Sequence, residues 1–239
     1  MESSSQIIVF PFFGERYLKQ FQVCAKTIPS HWNVVVITDQ DYSHDRFKVI
    51  RVQTPPTAYD CLTFRKRIPE FVDINLYDQI WHCDPDVLFT GDLLAKYGEL
   101  PYSKYIIVSE EPMTRIDNEH MGMAFDPYKL ESLVLNRQPA INGGLIGVPK
   151  LWAFFWDLYQ INIDEFHELR PDIMSCDQQV LNQMYHSDDW GFALTDKEDV
   201  GFPTRQTEGK LMNHYIGAYI QDKDQVMEAD FQKRYIWTS

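Results

Sequence analysis

The first forty residues contain an apolar segment, an amphipathic segment and a second apolar segment in close succession. Residues 6–10 and 33–38 are short apolar runs typical of buried strands. Between them, residues 15–28 carry apolar side chains at helical spacing, and Pro29 ends that predicted helix. A strand, a helix and a strand at this pitch predict a βαβ unit, in which the two strands are parallel. The N-terminal region therefore predicts an α/β fold.

Alternating strand and helix patterns continue along the rest of the chain, with no linker-like stretch and no internal repeat. Further strands are predicted at 47–52, 78–83, 104–109, 141–148, 192–194 and 211–215. Further helices are predicted at 59–76 (interrupted by Pro69), 91–97, 126–136, 149–160, 177–186 and 222–235. Residues 110–125 have little periodicity and predict a loop. We expect one domain over residues 1–239.

Two aspartates one residue apart, Asp84 and Asp86, follow the predicted strand 78–83. In an extended chain residues i and i+2 point the same way, so the two carboxylates converge at a strand end. Ligands of open α/β sheets bind at such ends. Paired carboxylates there are suited to hold a divalent cation against a diphosphate.

Such a short motif also arises by chance. Three Asp-x-Asp triplets occur in the sequence, at Asp39/Asp41, Asp84/Asp86 and Asp222/Asp224. The first lies at a predicted strand end and the third in a charged, predicted helix, where solvated loop or surface charges are the simpler interpretation. The surrounding sequence must decide which triplet has a function.

The chain is acidic, with a formal net charge of −13. This charge argues against a nucleic-acid partner, which requires a basic face. A phosphorylated substrate would be repelled unless a bound cation or local Arg and Lys side chains offset the acidity. Neither a secretory signal nor a bilayer-length apolar run is found, so we expect a soluble cytoplasmic protein without an integral membrane segment.

Four further segments accompany Asp84 and Asp86 in a particular order, at residues 63–69 (TFRKRIP), 141–147 (INGGLIG), 177–182 (DQQVLN) and 214–217 (HYIG). Together they resemble the GT-A fold glycosyltransferases, most closely the group of glycogenin and the lipopolysaccharide galactosyltransferases, glycosyltransferase family 8. The resemblance extends from Ile7 to about Gly217. It implies a Rossmann-like mixed central sheet flanked by helices, with residues 1–110 holding the nucleotide and residues 111–239 the acceptor.

The resemblance implies a metal site formed by Asp84, Asp86 and His214. An imidazole beside two carboxylates favours Mn²⁺, although Mg²⁺ is possible. Gly217 completes the family's H-x-x-G segment. The family continues with a lysine that contacts the diphosphate, but Ile220 occupies that position here. Lys210, Lys223 or an arginine must then meet the phosphate charge, unless the metal alone does so.

The resemblance also implies a set of donor contacts. Asp177 and Gln178 read the sugar hydroxyls and, with Asp84 and Asp86, form the predicted catalytic group. The other predicted donor contacts are Pro11, Phe12 and Tyr17 at the base, Asp39 at the ribose or base, Arg65 at the diphosphate, and Asn142, Gly143 and Gly144 at the sugar.

Each of these residues also has a purely structural interpretation. Arg65 is equally compatible with a solvated helix charge, in which case Lys66 or Arg67 contacts the donor. The segment 142–144 is compatible with a β-bulge, Asp177 with a helix N-cap, and Tyr17 with the core.

The function implied is retaining, Mn²⁺-dependent transfer of a hexose from a UDP-sugar to a glycan or other hydroxyl acceptor, with loop 110–125 shaping acceptor choice. Two alternatives stay open. A non-catalytic module binding nucleotide sugars or glycans could use the same fold. A nucleotidyltransferase also uses metal-binding carboxylates, but it needs a basic triphosphate loop that the sequence does not contain.

Overall fold

The computed structural model describes residues 5–116, 124–174, 176–187, 189–205, 207–216 and 222–236. Ten strands occur in these ranges: β1 (Gln6–Phe12), β2 (Asn33–Thr38), β3 (Lys48–Arg51), β4 (Gln79–Cys83), β5 (Val87–Phe89), β6 (Ile106–Arg115), β7 (Pro139–Pro149), β8 (Phe192–Leu194), β9 (Val200–Gly201) and β10 (Met212–His214). Seven α-helices occur there: α1 (Glu15–Ala25), α2 (Ala58–Leu62), α3 (Leu93–Tyr97), α4 (Pro127–Leu135), α5 (Phe155–Leu169), α6 (Cys176–Tyr185) and α7 (Lys223–Phe231).

Seven strands form a mixed central sheet in the order β3-β2-β1-β4-β7-β6-β8. The strands β3, β2, β1 and β4 are parallel to one another, as the βαβ pattern predicted. Strand β7 runs antiparallel to both of its neighbours, β4 and β6. The predicted α/β fold with a mixed sheet flanked by helices is confirmed.

Side chains of β1 alternate between two hydrophobic cores on opposite faces of the sheet. Ile8 and Phe10 belong to the core that includes α1 and Met227 of α7. Ile7 and Val9 belong to the other core, which α5 and α6 cover. This alternation follows from the two-residue period of a strand. Because both faces of β1 are covered by helices, the strand is apolar from Ile7 to Phe12.

A second, smaller sheet joins β5, β10 and β9. Strand β10 pairs antiparallel with β5, with His214 opposite Val87. The backbone N–H of Tyr215 also donates to the carbonyl of Asp86 at 2.9 Å. This pairing brings His214 to the end of β4, although the two segments are 128 residues apart in sequence.

Three sequence-based expectations were wrong in detail. Strand β1 continues through Pro11, which lies opposite Ile37, because proline removes one donor without preventing parallel pairing. Strand β6 extends to Arg115 rather than ending at residue 109, since it pairs with β7 as far as Pro139. The first part of the predicted loop 110–125 is therefore a strand, and residues 117–123 of that loop lie outside the described residues.

The C-terminal helix is also not purely a surface element. Met227 of α7 is fully buried, and Lys26 of the α1 C-cap forms an ion pair with Glu228 at 2.6 Å. Helix α7 therefore packs onto α1 and joins the first core. Among the described helices, none combines the length and apolar character that a membrane crossing requires.

Candidate active site

The Asp84/Asp86 pair lies between the end of β4 and the start of β5. The backbone N–H of Asp84 donates to the carbonyl of Gly144 in β7 at 2.9 Å, which fixes the end of β4 against its antiparallel neighbour. The side chain of Asp84 is partly exposed, and Asp86 is buried. The strand end thus presents one partly exposed and one buried carboxylate.

His214 completes a cluster with these two aspartates, hereafter the metal cluster. Its Nε2 lies 3.2 Å from Asp86 Oδ1 and 3.7 Å from Asp84 Oδ2. One ligand atom from each of the three residues lies within 4.8 Å of the others. Ligands bound at about 2.0–2.2 Å to one ion lie within roughly 4.4 Å of each other, so small side-chain rotations would bring all three atoms onto one divalent cation. Two carboxylates and an imidazole therefore fit such an ion.

Electrostatic interactions within the metal cluster keep it charged. Burial alone would raise the pKa of Asp84, but Arg65 and His82 together hold it well below its usual value. Burial likewise opposes ionisation of Asp86, whose pKa is nevertheless lowered by His214 and Lys223. For His214, burial would lower the pKa, but the Asp86 and Asp84 carboxylates raise it above its ordinary value.

His82 is a site residue that the sequence analysis missed. It precedes Asp84 by two positions on β4, so both side chains point the same way, and its Nε2 lies 3.1 Å from Asp84 Oδ1. Burial, with a contribution from Arg65, lowers the pKa of His82 to about 4. The same two-residue spacing that identified the aspartates would have identified this neutral imidazole, which orients the Asp84 carboxylate.

Arg65 connects the metal cluster to the C-terminal half of the chain. Its side chain is mostly buried, with Nε 3.0 Å from Asp177 Oδ2 and an Nη 3.7 Å from Asp84 Oδ1. A second Nη donates to the carbonyl of Gly143. The interpretation of Arg65 as a solvated charge is therefore wrong.

The two basic neighbours of Arg65 have partners of their own. Lys66 forms an ion pair with Asp164. Arg67 binds Glu70 through both ends of its guanidinium. Arg65 is therefore the residue of this basic segment that pairs with Asp84 of the metal cluster.

The segment Asn142–Gly144 of β7 lies close to both Arg65 and His214. The β6–β7 register shifts at this point, so a bulge is present. A Cβ at Gly143 would lie 2.6 Å from Arg65 Nη1, and a Cβ at Gly144 would lie 2.1 Å from His214 Cε1. The bulge and the close approach are thus one feature, because glycines let this backbone reach Arg65 and His214.

Asn142 itself is buried and bonded within the protein. Its Oδ1 accepts from the N–H of Gly144 at 2.8 Å, and its Nδ2 donates to Glu111 of β6. The structure therefore gives Asn142 a role in holding the bulge. Glu111, a buried carboxylate beside the site, had no sequence signal because its strand was predicted to end at residue 109.

Asp177 and Gln178 lie in the first turn of α6, so Asp177 is not the N-cap residue. The carboxylate of Asp177 is buried against Arg65, and burial together with Asp84 raises its pKa although Arg65 opposes this shift. Gln178 Nε2 donates to the carbonyl of Ile141 at 3.0 Å. Gln178 thus lies next to the glycine segment of β7, and Asp177 is connected to that segment through Arg65.

A cleft of about 510 Å³, hereafter the central cleft, opens in front of the metal cluster. Pro11, Phe12 and Tyr17 line one part of it, as the sequence analysis grouped them. Tyr17 is 39% exposed, so it belongs to the cleft wall rather than to the core. Burial, with the Asp86 and Asp84 charges, raises the pKa of its phenol, which is therefore neutral at pH 7.

Asp39, predicted to contact the ribose or base, forms hydrogen bonds within the protein. One of its carboxylate oxygens accepts from the N–H of Gly14 at 2.9 Å, and the other accepts from the Thr54 hydroxyl at 2.7 Å. Asp39 therefore braces the turn between β1 and α1, next to the cleft wall that carries Tyr17.

Of the lysines weighed for the phosphate charge, Lys223 lies at the site, at the start of α7. Its Nζ lies 2.5 Å from Asp86 Oδ2, and the side chain lines the central cleft. Lys210 instead pairs with Glu198 on the surface. Gly217 and Ile220 lie outside the described residues.

Comparison with known proteins gives a consistent structural result. No protein-family model and no curated protein sequence matches the chain. Among solved structures, the galactosyltransferase LgtC in complex with donor and acceptor sugar analogues superposes with a TM-score of 0.63 at 14% identity, covering 93% of this chain and 94% of that one. The glycosyltransferase GlyE of Streptococcus pneumoniae gives 0.59 at 15% identity, covering 95% of this chain and 60% of that one. This chain has the GT-A glycosyltransferase fold.

The GT-A fold explains why the predicted residues converge. The central cleft lies at the carboxyl ends of the neighbouring parallel strands β1 and β4. Phe12, at the end of β1, and Asp84, just after β4, both line it. The antiparallel strand β7 brings its glycines to the same edge from the opposite direction. The bifunctional glycosyltransferase WbbM has a similar structure, with a TM-score of 0.59 at 11% identity, and the chain covers 52% of it.

Proposed function

We propose that the protein is a divalent-metal-dependent glycosyltransferase that moves a hexose from UDP to a hydroxyl acceptor with retention of configuration. The observation that carries this proposal is the convergence of Asp84, Asp86 and His214 on one candidate cation site, whose two aspartates line the central cleft. When bound there, a divalent cation would supply Lewis-acid neutralisation of the charge on a departing diphosphate. Asp84, Asp86 and His214 would hold it.

The lining of the central cleft supports a nucleotide sugar as the donor. Its volume of about 510 Å³ lies in the range of small-molecule sites. Tyr17 and Phe12 offer apolar and aromatic surface for a base, and Lys223 offers a cation for phosphate. Arg65 ties the metal cluster to Asp177, whose carboxylate suits sugar hydroxyls.

The arrangement argues against the two alternatives. A nucleotidyltransferase binds a triphosphate and needs a cluster of cations, whereas the described lining of the central cleft contains two basic side chains, Arg65 and Lys223. A non-catalytic binding module has no need for two aspartates and a histidine placed on one cation site. A hexosyltransferase uses both the cation site and the sugar contacts.

A second cavity of about 230 Å³, hereafter the side cavity, supports the acceptor half of the proposal. It is lined by Ser109, Glu110, Thr195, Lys197, Val200, Phe202 and Thr207. Phe202 lines the side cavity and also lies near the metal cluster, since its ring centroid is 5.7 Å from that of His214. Hydroxyl, carboxylate and aromatic groups around one small cavity suit a sugar, so we assign the acceptor to it. Thr195→Val should raise the KM for acceptor while the KM for donor stays the same.

The function is tested by incubating the purified protein with a panel of UDP-hexoses and Mn²⁺, and with EDTA as the control. We expect UDP release that requires the metal and increases with a sugar acceptor. The anomeric configuration of the first-formed product, followed by proton NMR, tests retention. Binding of UDP-hexoses without turnover for any acceptor would favour the non-catalytic module, and pyrophosphate release from a nucleoside triphosphate would favour the nucleotidyltransferase.

A further inference from the structure

Lys223 is an unusual residue because it is a lysine buried at the edge of a ligand cleft. Its relative exposure is 6%, and that of its partner Asp86 is 7%. Lysine is almost never buried to this extent unless it is paired. Its Nζ lies 2.5 Å from Asp86 Oδ2, so the ammonium is held by a carboxylate of the metal cluster.

The two oxygens of Asp86 face different basic side chains. His214 Nε2 lies 3.2 Å from Oδ1, and the Lys223 ammonium takes Oδ2. A divalent ion bound by Asp86 would share this buried carboxylate with the ammonium. Two cations so close together in a poorly solvated site repel strongly, so the ion and the ammonium compete for Asp86.

The chain allows the ammonium to leave while the helix stays in place. Helix α7 is attached to the rest of the fold by Met227 in the first core and by the Lys26–Glu228 ion pair. The hydroxyl of Tyr215 also donates to Asp230 at 2.7 Å. Lys223 lies at the first position of this anchored helix, and its four-carbon stem can reorient without movement of the backbone.

We propose that Lys223 is an exchangeable counter-ion that occupies Asp86 when the cation site is empty and transfers to an incoming diphosphate when a divalent cation binds. The inference rests on the proposed function, since it takes the donor to be a metal-bound nucleoside diphosphate. An ammonium carries three donors and no acceptor, so once displaced from Asp86 it needs another anion. The diphosphate is the anion that enters the same cleft.

This exchange makes metal and nucleotide binding cooperative. Without nucleotide, the cation must displace the ammonium and leave it buried without an anion, so the cation binds weakly. With nucleotide present, the ammonium gains a new partner. Coupling of this kind typically changes affinities by about 5- to 150-fold, and it acts equally on both ligands.

The test is isothermal titration calorimetry on the full chain and on Lys223→Met, which keeps the unbranched stem, one atom shorter, and removes the charge. Mn²⁺ is titrated without nucleotide, and UDP is then titrated in the presence of Mn²⁺. We expect Lys223→Met to bind Mn²⁺ alone at least about fivefold more tightly and to bind UDP with Mn²⁺ at least about fivefold more weakly. Effects in opposite directions separate exchange from a general loss of structure.

The matched control is Lys26→Met. It removes a lysine ion pair that also fastens α7, but Lys26 is about half exposed and lies away from the central cleft. Its Mn²⁺ and UDP affinities should stay within about twofold of the unmodified chain, because exposed ion pairs contribute little. Thermal melts of both variants show that they are folded.

Three results would overturn the exchange. Equal Mn²⁺ affinity in the unmodified chain and Lys223→Met would show that the ammonium does not compete, while leaving the metal-dependent function intact. Tighter Mn²⁺ binding with unchanged UDP affinity would show that the ammonium does not move to the diphosphate. Absence of Mn²⁺ binding in both proteins would overturn the metal site and the proposed function together.

Discussion

Two Asp-x-Asp triplets follow parallel strands of the same sheet, Asp39/Asp41 after β2 and Asp84/Asp86 after β4, yet they are built differently. The side chain of Asp41 is 97% exposed and lies 3.5 Å from an Arg51 nitrogen on the surface. Asp86 is buried and is contacted by His214 and Lys223. The same three-letter pattern is thus a solvated charge in one place and part of a candidate metal site in the other.

The leading aspartates of the two triplets differ as well. Asp39 accepts from the N–H of Gly14, a residue with φ of +86°, and so stabilises a turn that favours glycine. Asp84 faces Arg65, His82 and His214. A strand end supplies a pair of carboxylates, and contacts from distant segments decide whether the pair braces a loop or forms a site.

The largest effect expected from this comparison concerns the second aspartate of each triplet. Asp86→Asn keeps the shape of the side chain but removes a charged ligand, so we expect loss of Mn²⁺ binding and at least a roughly thousandfold fall in turnover, equivalent to about 4 kcal/mol. Calorimetry and UDP release measure the two effects.

The matched substitution Asp41→Asn alters an exposed carboxylate and should leave both quantities within about twofold. Turnover of Asp86→Asn close to that of the unmodified chain would mean that the two triplets do not differ in function.

A second effect concerns the residue two positions before each triplet, which is His82 on β4 and Ile37 on β2. His82 has a pKa of about 4 when folded and an ordinary value of 6.5. The unfolded chain therefore binds more protons between these values, and the stability contributed by neutral His82 is lost as pH falls from 6.5 to 4. We expect this to lower the free energy of unfolding by up to about 3 kcal/mol.

Urea denaturation of the metal-free protein across this range measures the effect, and His82→Gln should flatten the pH profile. Titration of His214 has the opposite sign and lies in a different window, because its raised pKa makes stability decline as pH rises above 6.5. An unchanged slope in His82→Gln would mean that another group produces the pH dependence.

The third effect tests whether the metal cluster at the end of β4 requires a glycine at position 144 of β7. A Cβ at Gly144 would lie 2.1 Å from His214 Cε1 and must displace the imidazole. We expect Gly144→Ala to weaken Mn²⁺ binding by roughly 10- to 100-fold, as other changes around metal ligands do. Calorimetry at constant pH measures the affinity.

Gly147→Ala on the same strand is the control, since its Cβ would meet Trp81 in the core at 2.6 Å. That variant should melt at a lower temperature and retain its Mn²⁺ affinity. If both variants bind Mn²⁺ normally, the close approach of Gly144 to His214 has no role in the site.

The smallest effect concerns Asp39. Asp39→Ala removes the charged acceptor for the Gly14 N–H and the Thr54 hydroxyl, so we expect a loss of stability of about 1–2 kcal/mol without a change in Mn²⁺ affinity. Equilibrium unfolding and calorimetry measure these quantities. The UDP affinity of this variant tests the prediction that Asp39 contacts the donor. A fall of tenfold or more at unchanged stability would show that Asp39 binds the nucleotide rather than stabilising the turn.

Local patterns along the sequence were sufficient to predict the βαβ start, the α/β class and the aspartate pair at the end of β4, whereas the mixed sheet was implied by the resemblance to the GT-A glycosyltransferases. Apolar runs and helical spacing report burial directly, and the two-residue period of a strand determines which carboxylates point together. The motif order also grouped Arg65, Asp177 and Gly143, which do meet in the structure. These features depend on residues close together in the chain, and such local patterns can be read directly from the sequence.

The tertiary structure alone decided which charges these segments meet. The resemblance grouped His214 with the aspartates, but the sequence pattern does not show that β10 reaches them by pairing with β5, or that α7 packs on α1 and buries Lys223 against Asp86. Nor does it show that β6 runs past residue 109 and brings Glu111 to Asn142. Burial and ion pairing depend on contacts between residues far apart in the chain, and those contacts exist only once the sheet and its covering helices have assembled.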